Sequence, residues 1–209
     1  ASDVYKRQHY NSMDIIKNLF GWNKKKEENA HNPQKTCGDS LEYPNSNGIK
    51  KLQTRESARQ ILSEDYPRHE WPISGGWGYT QEDAVVLEVD NEGDGVALEY
   101  KFLQYRSFEE GIVFRPKGYG LAGFRFAMRN QALCKKDGKS YDRIIMTVSA
   151  YTEEDFEFLK NDFEGNDGYI NDPDGFKRHQ ELAQSKRISY EVTGWFDITR
   201  FFGKNKCNL

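Results

Sequence analysis

Apolar and polar residues alternate along three long stretches of this chain, which is the pattern of strands that bury one face. These stretches are residues 96–106, 121–134 and 141–151. Shorter apolar runs predict three further strands, at residues 84–90, 112–114 and 187–193. Many residues in these runs are β-branched or aromatic, the types that are enriched in strands. The pattern therefore predicts a sheet of about five to six strands.

Helix signals flank the predicted strands. Ser57 stands three residues before Gln60 and forms a capping box, which predicts a helix over residues 55–65. Thr152 followed by three acidic residues predicts a second helix, and Pro173 suits the first position of a third. The predicted buried stripe of the second helix is Phe156, Leu159 and Phe163. This order of elements predicts an α+β fold, a mostly antiparallel sheet with helices packed on one face.

Two glycine-containing turns separate the alternating stretches. Asn91–Gly95 is interpreted as the turn between the first two strands, and Asp137-Gly138 as the turn of a later hairpin. A three-residue loop with Gly138 left-handed would bring the apolar residues of both hairpin strands to one face, whereas a two-residue loop would not. The favoured register predicts four facing pairs: Phe126 with Ala150, Met128 with Val148, Arg129 with Thr147, and Arg125 with Tyr151.

Composition divides the chain into four segments. Residues 1–12 are interpreted as a translated scar, because Asp3–Gln8 resembles the in-frame translation of a transposon end used to prepare sequencing libraries. Such a scar is expected on a bacterial metagenomic contig. Residues 13–40 are predicted to form a short amphipathic helix and a polar linker. A single α+β domain is expected over residues 41–203, with a tail at 204–209.

Charge and cysteine content argue against several classes of protein. Residues 1–40 carry seven Lys/Arg and five Asp/Glu, which leaves 23 and 28 for the rest of the chain. A mildly acidic body lacks the basic footprint of a general nucleic-acid binder. The three cysteines are an odd number without a CxxC pair, which disfavours a disulfide framework or a zinc site. We therefore expect no cofactor and no metal, and a cytoplasmic location in which thiols stay reduced.

A glycine-rich aromatic loop, Trp71–Tyr79, follows the first predicted helix. Its Trp77 and Tyr79 are candidate binding residues, because Trp and Tyr are common anchors of interfaces. His69 and Glu70 precede the loop and are the candidate acid/base pair of an enzyme with a flexible lid. The competing interpretation is that the tryptophans pack on the sheet while the glycines permit tight turns. We favour the competing interpretation, since the sequence contains no established catalytic motif.

Arginine side chains are predicted to share the open face of the sheet. The predicted binding surface consists of Arg125, Arg129, Arg143, Tyr105 and Tyr151. Guanidinium groups recognise carboxylates and phosphates, and tyrosines add flat apolar contact area. Glu99 and Lys101 are expected on the same face, so the alternative is a charge-balanced surface that is only solvated.

These observations favour a protein-binding module of the immunity or adaptor type, which contacts a protein partner through the open sheet face or the aromatic loop. A second interpretation is a hydrolase or transferase acting on an anionic small molecule, with His69 or Glu70 as acid/base and the arginines as anion clamp. A third is a membrane-peripheral adaptor, in which Met13–Lys26 lies on an anionic lipid surface. The sequence leaves the partner and the oligomeric state open.

Overall fold

The computed structural model describes residues 57–113 and 120–203, and the account below is confined to these residues. They form four α-helices and five strands. In chain order these are α1 (Ala58–Asp65), β1 (Ile73–Gly75), β2 (Val85–Leu87), α2 (Glu92–Phe108), β3 (Leu121–Lys136), β4 (Lys139–Thr152), α3 (Glu153–Gly165), α4 (Pro173–Lys186) and β5 (Ile188–Asp197). A π-helical segment, Glu109–Val113, continues α2, and a 3₁₀ turn, Asp167–Tyr169, lies between α3 and α4.

The described residues divide into two compact units. One consists of Leu121–Phe124 and Ser149–Ile188, and the other contains the remaining described residues. The predicted N-terminal scar, amphipathic helix, linker and C-terminal tail lie outside the described residues. The boundaries of the predicted domain at residues 41–203 therefore stay a prediction.

The α+β class is confirmed, but the sheet is mixed rather than mostly antiparallel. Its five strands are ordered β1-β2-β5-β4-β3. β1 pairs antiparallel with β2, whereas β2 runs parallel to β5, with Val85 opposite Phe196 and Val86 opposite Asp197. A parallel pair needs a long crossover, and here the chain between β2 and β5 includes three helices and the β3–β4 hairpin.

The strand predicted at residues 96–106 is wrong, because this segment lies within helix α2. Asn91 caps the helix, its side chain accepting from the amide of Asp94 at 2.9 Å, so the predicted turn at 91–95 is a helix start. The buried residues follow helical spacing: Gly95, Leu98, Glu99, Phe102, Leu103, Arg106 and Ser107. Three of these are polar, so a search for apolar residues at helical spacing misses them. The remaining apolar residues happen to alternate with polar ones, as they would in a strand. The predicted strand at 112–114 also fails, since Ile112 and Val113 belong to the π-helical segment.

Helix α2 packs its buried side against β5 and the aromatic loop. The ring of Phe102 lies 5.9 Å from that of Phe196 on β5 and 6.0 Å from that of Trp77. Leu103 approaches Gly194 so closely that a Cβ at position 194 would lie 2.5 Å from the leucine side chain. The missing side chain of Gly194 thus lets the helix sit near the strand.

The β3–β4 hairpin has a two-residue turn rather than the predicted three-residue loop. Asp137 and Gly138 both have positive φ, 51° and 77°, as a type I′ turn requires. Even so, Arg129 Nε donates to Thr147 Oγ1 at 2.7 Å, which is the predicted pairing.

The face of the sheet to which every second side chain of β3 points must therefore switch within the strand. Even-numbered residues of β4 from Asp142 to Ala150 are buried and the intervening ones are not, so Asp142 and Thr147 point to opposite faces. Gln131 contacts Asp142 whereas Arg129 contacts Thr147. In a regular strand Arg129 and Gln131 would share a face, so one extra residue is accommodated between them, as in a β-bulge.

The unit that contains α3 and α4 has its own apolar core. Its buried members are Ala122, Tyr151, Phe156, Leu159 and Ala183. Thr152 caps α3 as predicted, accepting from the amide of Asp155 at 3.0 Å. Phe163, predicted in the buried stripe, is only half-buried.

Candidate functional site

Strand β3 lies at the end of the strand order, and half of its 16 residues are exposed. Residues 127–131 are exposed without interruption. Met128, predicted to point inward, is 53% exposed, and Leu133 is 49% exposed. The inward position predicted for Met128 is therefore wrong, since no described residue covers most of this side chain.

The charge of β3 has one sign. Its basic residues are Arg125, Arg129, Lys135 and Lys136, and it contains no Asp or Glu. Lys136 forms an exposed ion pair with Glu82 at 3.0 Å, and Lys135 lies 6.0 Å from the ring centroid of Phe202. A basic edge of this kind resists pairing with a second copy of itself.

Two of the three predicted arginines share the face of the hairpin that is opposite α2, here called the outer face. Arg129 is held there by Thr147, and the guanidinium of Arg143 lies 5.8 Å from the ring centroid of Trp195. Arg143 Nε is buried without a hydrogen-bond partner among the described residues. Arg125 precedes Arg129 by four residues on the same strand and is half-buried.

The other residues predicted for the open face lie elsewhere. Glu99, Lys101 and Tyr105 are on helix α2, not on a strand. Tyr151 is 1% exposed and belongs to the core of the α3–α4 unit. Glu99, Lys101 and Tyr105 are therefore not strand neighbours of the arginines.

Hydrogen bonds hold the aromatic loop in place, whereas the enzyme interpretation requires a flexible lid. Asp83 Oδ2 accepts from the amides of Trp77 and Tyr79 at 3.2 and 3.5 Å. Gly78 donates to the main chain of Asp83, and its own oxygen accepts from Trp195. Trp77 is buried and Tyr79 half-buried, which agrees with the structural interpretation of this loop.

His69 and Glu70 each contact helix α2. His69 Nε2 lies 2.6 Å from the hydroxyl of Tyr105, while the main-chain oxygen of Glu70 accepts from Lys101 Nζ at 3.0 Å. Burial and the charge of Lys101 lower the pKa of His69, which favours the neutral ring. The Glu70 side chain is exposed. A role of His69 and Glu70 as an acid/base pair therefore stays a prediction.

A buried ionic cluster at the end of α2 has no counterpart among the predicted sites. Arg106 Nε lies 3.5 Å from Glu110 Oε1, and the hydroxyl of Tyr79 donates to the same carboxylate. The guanidinium also donates to the main-chain oxygens of Trp77 and Thr193, at 2.8 and 2.7 Å. These bonds stabilise the fold around α2 and occupy groups that a ligand would need.

Glu109, beside this cluster, is fully buried. Burial, the charge of Glu109 and a hydrogen bond to it raise the pKa of Tyr66. The adjacent acids at 109 and 110 thus lie in the interior, where a sequence pattern would place a solvated turn.

The α3–α4 unit contains a histidine–carboxylate contact. His179 Nδ1 lies 2.6 Å from Asp162 Oδ2, and the hydroxyl of Tyr169 donates to the same oxygen at 2.8 Å. Burial alone would raise the pKa of Asp162, but these two bonds and the histidine charge lower it overall. His179 is buried, and the contact links α4 to α3.

Within the described ranges, no helix is long and apolar enough to cross a membrane. The same residues contain no group of three or more His, Cys, Asp or Glu side chains placed to hold a metal ion. Comparisons with protein-family models, curated proteins and solved structures found no match.

Proposed function

We propose that this protein is a binding module that takes up an extended, acidic segment of a partner protein along the edge of β3 with which no described strand pairs. In this mode the peptide adds a strand to the sheet, and its main chain pairs with that of β3. Arg125 and Arg129 bind the acidic side chains of the peptide. Arg143 extends the same surface on the neighbouring strand.

The observation that supports this most directly is the exposure of residues 127–131 in a strand of 16 residues. An edge strand presents unpaired backbone donors and acceptors, which are a template for another chain. Long exposed edges are uncommon in monomeric domains unless a bulge, a charge or a covering element protects them. Here the bulge and the basic side chains disfavour pairing of β3 with a second copy of itself. A strand of different sequence is therefore the favoured occupant of this edge.

Charge selects the kind of partner. The strand carries four cations and no anion, so a second copy of β3 would bring like charges together. An acidic strand would instead face opposite charges, and repulsion of basic competitors would add specificity. We therefore favour a heterologous acidic partner over self-association.

An immunity-type or adaptor role in the cytoplasm fits this mode of binding, because both classes act by holding another protein. A secreted-toxin gene directly upstream would support the immunity role. The enzyme alternative is disfavoured, since His69 contacts Tyr105 on α2 whereas Arg129 and Arg143 lie on the opposite face of the hairpin. The peripheral-membrane alternative depends on Met13–Lys26, which lies outside the described residues.

The test is a selection of displayed random peptides of about ten residues, a length that spans most of an exposed strand. We expect the bound pool to be enriched in Asp and Glu alternating with β-branched or aromatic residues. The double variant Arg125→Glu/Arg129→Glu should weaken binding of a selected peptide at least about tenfold, and added salt should weaken the wild-type complex.

The matched control is Arg68→Glu/Arg178→Glu, which changes the net charge equally at two exposed positions on other elements. It should leave the affinity within about twofold. Amide exchange of residues 127–131 should slow when the peptide binds. The proposal fails if the selected peptides are not acidic, if the control weakens binding as much as the double variant, or if these amides are unaffected.

A further inference from the structure

Two buried carboxylic acids, one on α2 and one on the hairpin, lie close enough for the charge of Asp142 to act on Glu99. Glu99, on α2, is 1% exposed, and Asp142, on β4, is 8% exposed. Glu99 Oε2 and Asp142 Oδ1 are each buried without a hydrogen-bond partner among the described residues. Neither acid forms an ion pair with a described Lys or Arg. Two buried, uncompensated carboxylates are too costly to persist with both charged.

The surroundings of the pair are polar but provide no cation. Asp142 Oδ2 accepts from the side-chain amide of Gln131, and the hydroxyl of Tyr100 donates to Gln131 Oε1 at 3.4 Å. Tyr100, on α2, is the further titratable group whose pKa responds to both acids. Gln131 thus bonds one oxygen of Asp142, and the other oxygen, Oδ1, is buried.

We propose that Glu99 stays protonated beside the buried Asp142, and that loss of this proton loosens α2 from the β3–β4 hairpin. The proton removes one of the two negative charges from this contact, so that one buried carboxylate does not lie beside another. When the proton leaves, two like charges remain in a low-dielectric contact and repel each other. The pair is thus a pH-sensitive latch within the unit that contains α2.

The titration of both groups supports the latch. Burial, and then the charge of Asp142, raises the pKa of Glu99 to about 8. Burial also raises the pKa of Asp142, although the bond from Gln131 opposes this. In the unfolded chain Glu99 would titrate near its ordinary value of 4.5. A pKa that is higher in the folded state gives stability that is fully present below about 4.5 and is lost as pH rises through about 8.

The test is equilibrium unfolding by urea between about pH 5 and pH 9, with the intact chain and the variant Glu99→Gln. The glutamine amide has nearly the size and polarity of the protonated acid, but it cannot ionise. In the wild type we expect the unfolding constant to increase with pH by up to about tenfold per unit within this window. In Glu99→Gln this pH dependence should be largely lost. Glu92→Gln, at an exposed position of the same helix, should behave as the wild type.

Infrared spectroscopy provides a readout that does not depend on stability. A protonated-carboxyl band should be present at about pH 6, disappear at about pH 9, and be missing from Glu99→Gln at both. If Glu99→Gln does not fold, Asp142→Asn serves the same comparison. An unchanged pH dependence in the folded variant would overturn the latch. So would stabilisation of the wild type, but not the variant, by calcium or magnesium at about pH 9, because a cation would then occupy the pair.

Discussion

Arg106 and Glu110 lie one helical turn apart, with Arg106 Nε 3.5 Å from Glu110 Oε1 and both side chains almost completely buried. The guanidinium also bonds the main chain of the aromatic loop and of β5 through Trp77 and Thr193. A single side chain on α2 therefore joins three parts of the unit. The same arginine is one of the three buried polar residues that hid the helical period of α2 in the sequence.

Removal of this arginine should severely destabilise the protein. Arg106→Met keeps most of the side-chain volume, but it leaves Glu110 as a buried charge and two carbonyl groups without a donor. We expect a loss of about 3–5 kcal/mol in the free energy of unfolding, measured by urea denaturation. Lys136→Met, which breaks an exposed pair with Glu82, should change little. Similar effects of the two variants would contradict the role assigned to Arg106.

Two glycines in the first turn of α2 should respond in opposite ways to alanine. A Cβ at Gly95 would overlap the buried ring of Phe201, whereas a Cβ at Gly93 would have its nearest neighbour, Asn91 Oδ1, at 3.5 Å. Gly95→Ala should therefore destabilise by about 1–3 kcal/mol through overpacking. Gly93→Ala should stabilise by up to about 1 kcal/mol through helix propensity. The midpoints of thermal unfolding should move in opposite directions, and a shift in the same direction would refute this placement of α2.

The hairpin turn offers a test of backbone conformation alone. An added Cβ would meet nothing within 4 Å at Gly138 or at Gly165, but only Gly138 has a positive φ, 77°. Gly138→Ala should cost about 1–2 kcal/mol, because an L-residue is strained in that region. Gly165→Ala, at the end of α3, is the control and should be neutral or stabilising. Equal effects in urea denaturation would argue against the two-residue turn.

The Asp162–His179 contact should make the free energy of unfolding depend on pH in the acid range. Burial opposes ionisation of Asp162, but the bonds from His179 and Tyr169 lower its pKa overall. A carboxyl with a lowered pKa gives stability that is present above its ordinary value of 3.8 and is lost as pH falls through the folded-state value. Asp162→Asn should lack this acid-induced loss, and the exposed substitution Glu181→Gln should retain it. Urea denaturation between about pH 2 and pH 5 would show the difference. The same decrease in the free energy of unfolding with falling pH in the wild type and in Asp162→Asn would refute this role.

Local signals were sufficient wherever neighbouring residues decide the structure. Ser57 caps α1, Thr152 caps α3 and Pro173 begins α4, as each of these residues predicts. The long hairpin strands and β5 follow from alternation and from Asp137-Gly138. In each case the controlling interaction spans a few residues, so the sequence contains its signal directly.

The candidate sites depended on contacts between distant residues. The arginines at 129 and 143 were placed together because strand alternation orients them. The bulge between Arg129 and Gln131 could not be read from the sequence, since it exists only where β3 meets β4. The exposed edge likewise follows from the strand order, which no local pattern encodes.

The sequence by itself determined the α+β class, the caps and the hairpin, because these depend on propensity, periodicity and turn chemistry. Only the tertiary structure decided that residues 96–106 form a helix. Their buried stripe includes Arg106, which bonds the main chain of β5 and of the aromatic loop, and Glu99, whose pKa is raised by burial and by the charge of Asp142. A periodicity argument counts such residues as exposed, because it does not register the contacts that compensate a buried charge or the burial that favours a neutral carboxyl.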